Sequence, residues 1–126
     1  MINKKKNLMV LIAGPYRSGT NDNRALMEQN LRKLEEAALP IFRAGHIPVI
    51  GEWFALPLLQ VAGSKHLGDA IYEEILYPIA ARLITKCNAI LRLEGISKGA
   101  DEDVRLAKEL GIPVFYALND LLNYIN

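Results

Sequence analysis

The stretch Leu8-Met9-Val10-Leu11-Ile12-Ala13-Gly14-Pro15-Tyr16-Arg17-Ser18-Gly19 decides the fold class of this 126-residue chain. It opens with an unbroken apolar run, which is typical of a central strand in a parallel sheet covered on both faces. The glycine-containing loop that follows is typical of the connection between such a strand and the next helix. A helical pattern of apolar residues then runs from about 23 to 44, so the chain begins as strand, loop and helix.

The same alternation of strand and helix continues to the end of the chain. It predicts an α/β fold, a flavodoxin- or Rossmann-like three-layer sandwich with about four or five parallel strands in the order 2-1-3-4(-5). Pro48 lacks an N–H, which favours an edge position for the second strand. The later elements are predicted as strands at 47–50, 89–93 and 113–116, helices at 69–85, 100–110 and 118–125, and a long apolar connection at 51–68 that contains a short helix.

Local signals predict where the helices begin and end. Asn21 or Asp22 is expected to cap the first long helix, and Asp69 to cap the helix at 69–85. Pro40 is expected to kink or divide the last turns of the first helix, because proline removes a helical hydrogen bond. Gly45 is placed to end that helix.

Composition indicates one ordinary globular domain over residues 1–126. Hydrophobic residues make up 51% and charged residues 23% of the chain, with a net charge of +1. This near-neutral balance offers no broad basic surface for nucleic acid. No apolar run approaches the roughly 20 residues that span a bilayer, so no membrane partner is expected. The run Lys4-Lys5-Lys6 is interpreted as a solvated segment that precedes the first strand.

The single cysteine and the two histidines limit the chemistry of the chain. Cys87 alone excludes an intramolecular disulfide, and its place before an apolar strand predicts a thiol in or near the core. A reducing, cytoplasmic setting is therefore expected. His46 and His66 have no zinc-binding spacing, so no metal is predicted. His46 is interpreted as a structural residue.

A second glycine loop supplies the candidate chemistry. It follows the strand at 89–93 and reads Glu94-Gly95-Ile96-Ser97-Lys98-Gly99-Ala100-Asp101-Glu102-Asp103. In the strand order 2-1-3-4 both loops lie at the switch point, where open α/β sheets bind ligands. Helix N-termini and Arg17 suit a phosphate, and Asp103 supplies a carboxylate. Together the two loops predict a site that binds a phosphorylated sugar or nucleotide, on which a carboxylate acts.

Simpler interpretations of the same residues stay open. The first loop is neither a Walker A sequence nor a GxGxxG sequence, and it is also consistent with a plain strand-to-helix turn. Acidic residues in the first turn of a helix stabilise it without any catalytic role, which is the better explanation of Glu102. After the second strand come Glu52 and Trp53; Trp53 or Phe54 is a candidate to stack on a nucleobase, although core or subunit packing explains them equally well.

The segments Leu11 to Gly19, Cys87 to Leu93, Ser97 to Ala100 and Ala107 to Val114 resemble the nucleoside 2-deoxyribosyltransferase-like family. This family includes the 2′-deoxynucleoside 5′-monophosphate N-glycosidases, and the resemblance covers most of the chain. It implies a flavodoxin-like parallel sheet. It also implies cleavage or transfer of the bond between base and deoxyribose through a glutamate nucleophile, without metal or cofactor. Members form dimers or larger oligomers, in which a neighbouring subunit often completes the pocket.

Residue by residue, the resemblance assigns Tyr16 to the sugar, Arg17 and Ser18 to the 5′-phosphate, and Asp103 to the position of the nucleophile. Together with the loop analysis, the predicted catalytic residues are Asp103, Glu94 and Tyr16. The predicted substrate- or phosphate-binding residues are Gly14, Arg17, Ser18, Ser97, Gly99, Glu52 and Trp53.

The chain departs from the family pattern at the acidic positions. Asp103 stands where members have glutamate, the stretch 78–82 lacks the usual aspartate, and Asn88 replaces an aspartate. Two hypotheses follow. The first is an N-glycosidic bond hydrolase or transferase acting on a nucleoside or its 5′-monophosphate, with Asp103 as nucleophile or base and Glu94 or Glu52 as acid. The second is a nucleotide- or sugar-phosphate-binding module without turnover; an unrelated doubly wound domain serving in assembly is a third interpretation. A homo-oligomer and a small-molecule ligand are the expected partners.

Overall fold

The computed structural model describes residues 7–126, which form an α/β fold around one parallel sheet. The sheet order is β2-β1-β3-β4, and every neighbouring pair is parallel. The predicted fold class and strand order are therefore confirmed. The strands are β1 (Met9–Ala13), β2 (Ile47–Val49), β3 (Ala89–Arg92) and β4 (Val114–Phe115). Lys4, Lys5 and Lys6 lie outside the described residues.

Helices connect the strands and cover the sheet on both faces. They are α1 (Arg24–Arg43), α2 (Gly51–Ala62), α3 (Ala70–Ile84), α4 (Lys98–Glu109) and α5 (Leu118–Ile125). β2 is an edge strand, as the missing N–H of Pro48 predicts. Within residues 7–126, none of the helices combines the length and the apolar character that crossing a membrane requires.

Alternation along the two central strands divides the core into two layers. Val10 and Ile12 of β1 pack on the side of α1 and α5, whereas Leu11 and Ala13 pack on the side of α3 and α4. Successive side chains of a strand point to opposite faces, so an all-apolar strand needs a layer of helices on each face. The apolar run at 8–13 therefore explains the three-layer architecture directly.

The expected N-cap of α1 and its expected division at Pro40 are not found in the structure. The N-cap is Asn23, whose side chain accepts a hydrogen bond from the Leu26 N–H, and neither Asn21 nor Asp22 caps the helix. Both of those residues have positive φ, 50° and 59°, whereas an N-cap needs extended backbone. The helix also runs without interruption through Pro40 to Arg43, so the proline does not divide it.

The long connection after β2 is more helical than the sequence suggested. α2 begins at Gly51, shortly after the strand, and is capped at its C-terminal end by Gly63, whose φ of 83° is the left-handed conformation that ends many helices. Asp69 caps α3 as predicted, with its side chain accepting from the Tyr72 N–H. Because α2 starts at the end of β2, its first turn lies at the carboxyl edge of the sheet.

The cysteine and the first histidine both lie in the interior. Cys87 is buried, and this burial raises the pKa of its thiol to about 11, so it behaves as a core residue. His46 is also buried, and its Nδ1 accepts a hydrogen bond from the Leu8 N–H at 3.2 Å. Its position before β2 is at the opposite end of the sheet from the strand-to-helix loops, in agreement with a structural role.

Candidate functional site

The carboxyl ends of three strands open into one cavity of about 440 Å³. This main cavity is walled by the loop after β1, the first turn of α2, one face of α3 and the first turn of α4. Its volume lies in the range of small-molecule pockets. Of the residues predicted to form a site, the structure brings together at this cavity Gly14, Tyr16, Arg17, Ser18, Glu52, Ser97, Gly99 and Asp103.

Two carboxyl groups, Glu52 and Asp103, face the main cavity from different helices. Burial, followed by the charges of Glu52 and Glu102, raises the pKa of Asp103 to about 7, while Arg92 acts in the opposite direction. Burial also raises the pKa of Glu52. Two desolvated carboxyl groups that influence each other do not both ionise readily near neutral pH. The pair is therefore suited to hold one proton, the arrangement that acid–base chemistry requires.

Arg17 reaches the same cavity and is held in a defined position. Its Nε donates to Asp22 Oδ1 at 2.7 Å, and its guanidinium lies 5.5 Å from the centroid of the Tyr72 ring. Gly68 also lies against the guanidinium, since an added Cβ there would come within 2.7 Å of Nη2. A guanidinium confined between a ring, a carboxylate and a backbone segment is oriented in advance for an anionic ligand.

The N-terminus of α4 supplies a second anion-binding element. Ser97 is buried and caps the helix, its Oγ accepting from the Ala100 N–H at 3.1 Å. The helix begins at Lys98, two residues before the predicted start, so Lys98 and Gly99 occupy its first turn beside the cavity. An added Cβ at Gly99 would meet no atom within 4 Å, which leaves open space over the helix end.

Replacing Ser97 with alanine should cost about 1 kcal/mol of stability, because an N-cap oxygen is lost. We also expect weaker binding of any phosphorylated ligand at the main cavity. Asn23→Ala is the matched control, since it removes an equivalent cap from α1 and Asn23 itself is not among the residues that line the cavity. Urea unfolding and ligand-induced shifts in melting temperature measure the two effects. Equal loss of ligand binding in both variants would contradict a role of the Ser97 hydroxyl in the cavity.

Two tyrosines of α3 form a further wall that the sequence analysis did not anticipate. Tyr72 and Tyr77 of α3 line the cavity together with Tyr16. Burial is the main cause of the raised pKa of both Tyr16 and Tyr72, with the charge of Glu52 acting in the same direction. The available signal was the spacing of Tyr72, Leu76 and Ala80, which puts them on one face of a helix.

Two predicted site residues do not line the main cavity. Glu94 is exposed and lines a second cavity on the α1 side of the sheet, so the expected pairing of Glu94 with Asp103 as acid and nucleophile is not formed. Trp53 is not among the residues that line the main cavity. Its indole Nε1 instead donates a hydrogen bond to Glu35 Oε2 of α1, at 2.9 Å. Trp53 follows Glu52 by one position on a helix, and such neighbours point about 100° apart.

Arg92 is the charged residue that the sequence analysis missed. Its side chain is only 9% exposed and donates to Asp101 Oδ1 at 2.8 Å, to the Gly95 carbonyl at 3.0 Å and to the Leu93 carbonyl. These hydrogen bonds therefore fix the position of the loop that leads to Ser97. A charged residue inside an apolar strand pattern was the only signal of this role.

Among residues 7–126 there is no cluster of three or more histidine, cysteine or acidic side chains that could hold a metal ion. No family model matches the chain, and neither a curated protein nor a solved structure is significantly similar to it.

Proposed function

We propose that the protein hydrolyses or transfers the N-glycosidic bond of a nucleoside or nucleoside 5′-monophosphate. The observation that carries this proposal is the composition of the main cavity, which is lined by the carboxyl groups of Asp103 and Glu52 together with Arg17 and Ser97. Paired carboxyl groups are what cleavage at an anomeric carbon requires, and an arginine beside a helix N-terminus suits a phosphate.

The two carboxyl groups take different roles in the proposed reaction. Asp103, when ionised, attacks the anomeric carbon as the bond to the base breaks, forming a glycosyl ester with the enzyme. Glu52, when protonated, donates its proton to the leaving base and then accepts a proton from the attacking water or acceptor nucleoside. Their raised pKa values support this division, because one group must be charged and the other neutral at the same pH.

The remaining cavity residues are proposed to bind the substrate. Arg17, Ser18 and Ser97 hold the 5′-phosphate, assisted by Lys98 and Gly99 at the start of α4. Tyr16 and Tyr72 lie against the sugar and base. At Gly14 an added Cβ would come within 2.9 Å of Leu34 Cδ2, so a larger residue there would need the Leu34 side chain to shift.

The direct test is chromatographic detection of free base from a panel of nucleosides and their 5′-monophosphates. We expect base release, with a preference for monophosphates that Arg17→Ala lowers by about 10- to 100-fold, because charge-assisted hydrogen bonds to phosphate are lost. Arg105→Ala is the matched control: that arginine also pairs with carboxylates, but on the exposed face of α4. Absence of base release from every compound would refute the enzymatic proposal.

A second candidate function is a nucleotide-binding module without turnover. It is favoured by Asp103, whose side chain is one methylene shorter than the glutamate of the family that the sequence resembles. A small misplacement of a reacting group lowers the rate by orders of magnitude. Thermal stabilisation by a 5′-monophosphate, together with no release of base, would select this alternative.

We further propose a cytoplasmic homo-oligomer. Support for self-association comes from α2, where Phe54, Leu58 and Val61 are exposed, Val61 to 88%. Large apolar side chains grouped on one helix are typical of a surface that another subunit covers.

A further inference from the structure

The loops that form the main cavity also form a second cavity of about 440 Å³ on the α1 side of the sheet. Pro15, Leu34 and Leu93 supply apolar walls for this second cavity. Tyr116, which follows β4 and is 61% exposed, adds an aromatic ring. A pocket of this size with apolar walls and an accessible ring suits a small flat ligand.

Two oppositely charged side chains line the second cavity without forming an ion pair with each other. Lys33 of α1 and Glu94 of the loop after β3 are both exposed, and neither takes part in any ion pair among residues 7–126. Asn30 adds an amide. One ammonium group and one carboxylate give the cavity no net charge. A ligand that used both would present an acceptor to Lys33 and a donor to Glu94.

We propose that the second cavity binds an uncharged heteroaromatic base that carries an exocyclic amino group beside a ring acceptor, as adenine and cytosine do. The ring stacks on Tyr116, Lys33 donates to the ring acceptor, and Glu94 accepts from the amino group. The proposal is independent of whether the main cavity catalyses a reaction.

The second cavity is joined to the main cavity through the loop after β1. Asn30 Nδ2 donates to the Tyr16 carbonyl at 2.9 Å, so a wall of the second cavity holds a residue that lines the main one. Pro15 packs against Gly95, where an added Cβ would lie 2.7 Å from Pro15 Cγ. A base bound beside Pro15 and Asn30 therefore contacts the segment that positions Tyr16.

Amide chemical-shift mapping by NMR tests this proposal with the full chain and four probes: adenine, cytosine, hypoxanthine and uracil. We expect adenine and cytosine to shift the amides of Lys33, Glu94 and Tyr116, and hypoxanthine and uracil to bind at least about 10-fold more weakly, because they lack the amino group. Glu94→Gln should weaken adenine binding by at least about 10-fold, since a charged acceptor is replaced by a neutral one.

The matched control for Glu94→Gln is Glu36→Gln, an exposed acidic residue of α1 that is not among the residues of either cavity. Shifts confined to residues of the main cavity, such as Tyr72 and Asp103, would overturn the proposal. Unchanged adenine affinity in Glu94→Gln, or no shift with any base, would also overturn it. None of these outcomes depends on base release, so the proposed reaction is tested separately.

Discussion

Replacing Asp103 with asparagine is expected to abolish base release and to stabilise the fold above neutral pH. The proposed nucleophile is lost, so we expect the rate to fall by at least about 10³-fold. Stability should rise because an ionised carboxylate is no longer forced into a desolvated position beside Glu52. Opposite effects on activity and stability are typical of residues retained for function at a cost to the fold.

The direction of the stability change with pH follows from the pKa of Asp103. Burial raises this pKa from 3.8 to about 7, so the folded state holds the proton more tightly than the unfolded state does. The resulting stabilisation is fully present below pH 3.8 and is lost as the pH rises through 7. Asparagine has no such dependence, so at pH 8 the variant should be more stable than the wild type by about 2–4 kcal/mol.

Urea unfolding of both proteins between pH 4 and pH 8 measures this difference. Glu109→Gln is the matched control, because Glu109 is an exposed carboxylate of the same helix, paired with Arg105 at 2.9 Å. It should change neither base release nor the pH dependence of stability appreciably. A free energy of unfolding for Asp103→Asn that follows that of the wild type across the range would show that Asp103 is ionised normally.

Replacing Arg92 with leucine should destabilise the fold by about 2–4 kcal/mol, because several charge-assisted hydrogen bonds disappear from a buried position. The carbonyls of Leu93 and Gly95 would lose their hydrogen-bond donor. The loop that leads to Ser97 would then no longer be held in place. We therefore expect weaker binding of phosphorylated ligands as well. Urea unfolding and ligand-induced thermal shifts measure these two effects.

The comparison variant is Asp101→Asn, which removes the acidic partner but leaves the carbonyl contacts. Because the Asp101 side chain is 73% exposed, its loss should cost less than about 1 kcal/mol. Arg92→Lys should recover only part of the stability, since one ammonium cannot reproduce the fork of a guanidinium. If Asp101→Asn cost as much as Arg92→Leu, the ion pair rather than the loop anchor would be the stabilising feature.

Helix starts and cavity walls were harder to predict than the fold. The pattern at 8–13 identified a central strand correctly, because an apolar run of that length has few other places in a parallel sheet. The N-cap of α1 was missed by one or two residues, because Asn21, Asp22 and Asn23 are all good caps. Backbone geometry decided among them, since Asn21 and Asp22 adopt positive φ.

Only some of the residues of the candidate site were predicted from the sequence. Apart from Glu94, the site residues predicted in the loops after β1 and β3 do line the main cavity, because parallel strands bring their carboxyl ends to one edge. Tyr72 and Tyr77 were missed because α3 follows no strand directly, so chain order alone does not place it beside the cavity.

The sequence by itself determined the order of strands and helices, the two central strands and the loops that meet at the edge of the sheet. Hydrophobic periodicity and glycine positions are local signals, and these features depend on them. Only the tertiary structure decided that Glu52 rather than Glu94 faces Asp103, and that Arg92 anchors a loop. Those pairings depend on the direction of side chains from elements far apart in the chain, which no local pattern encodes.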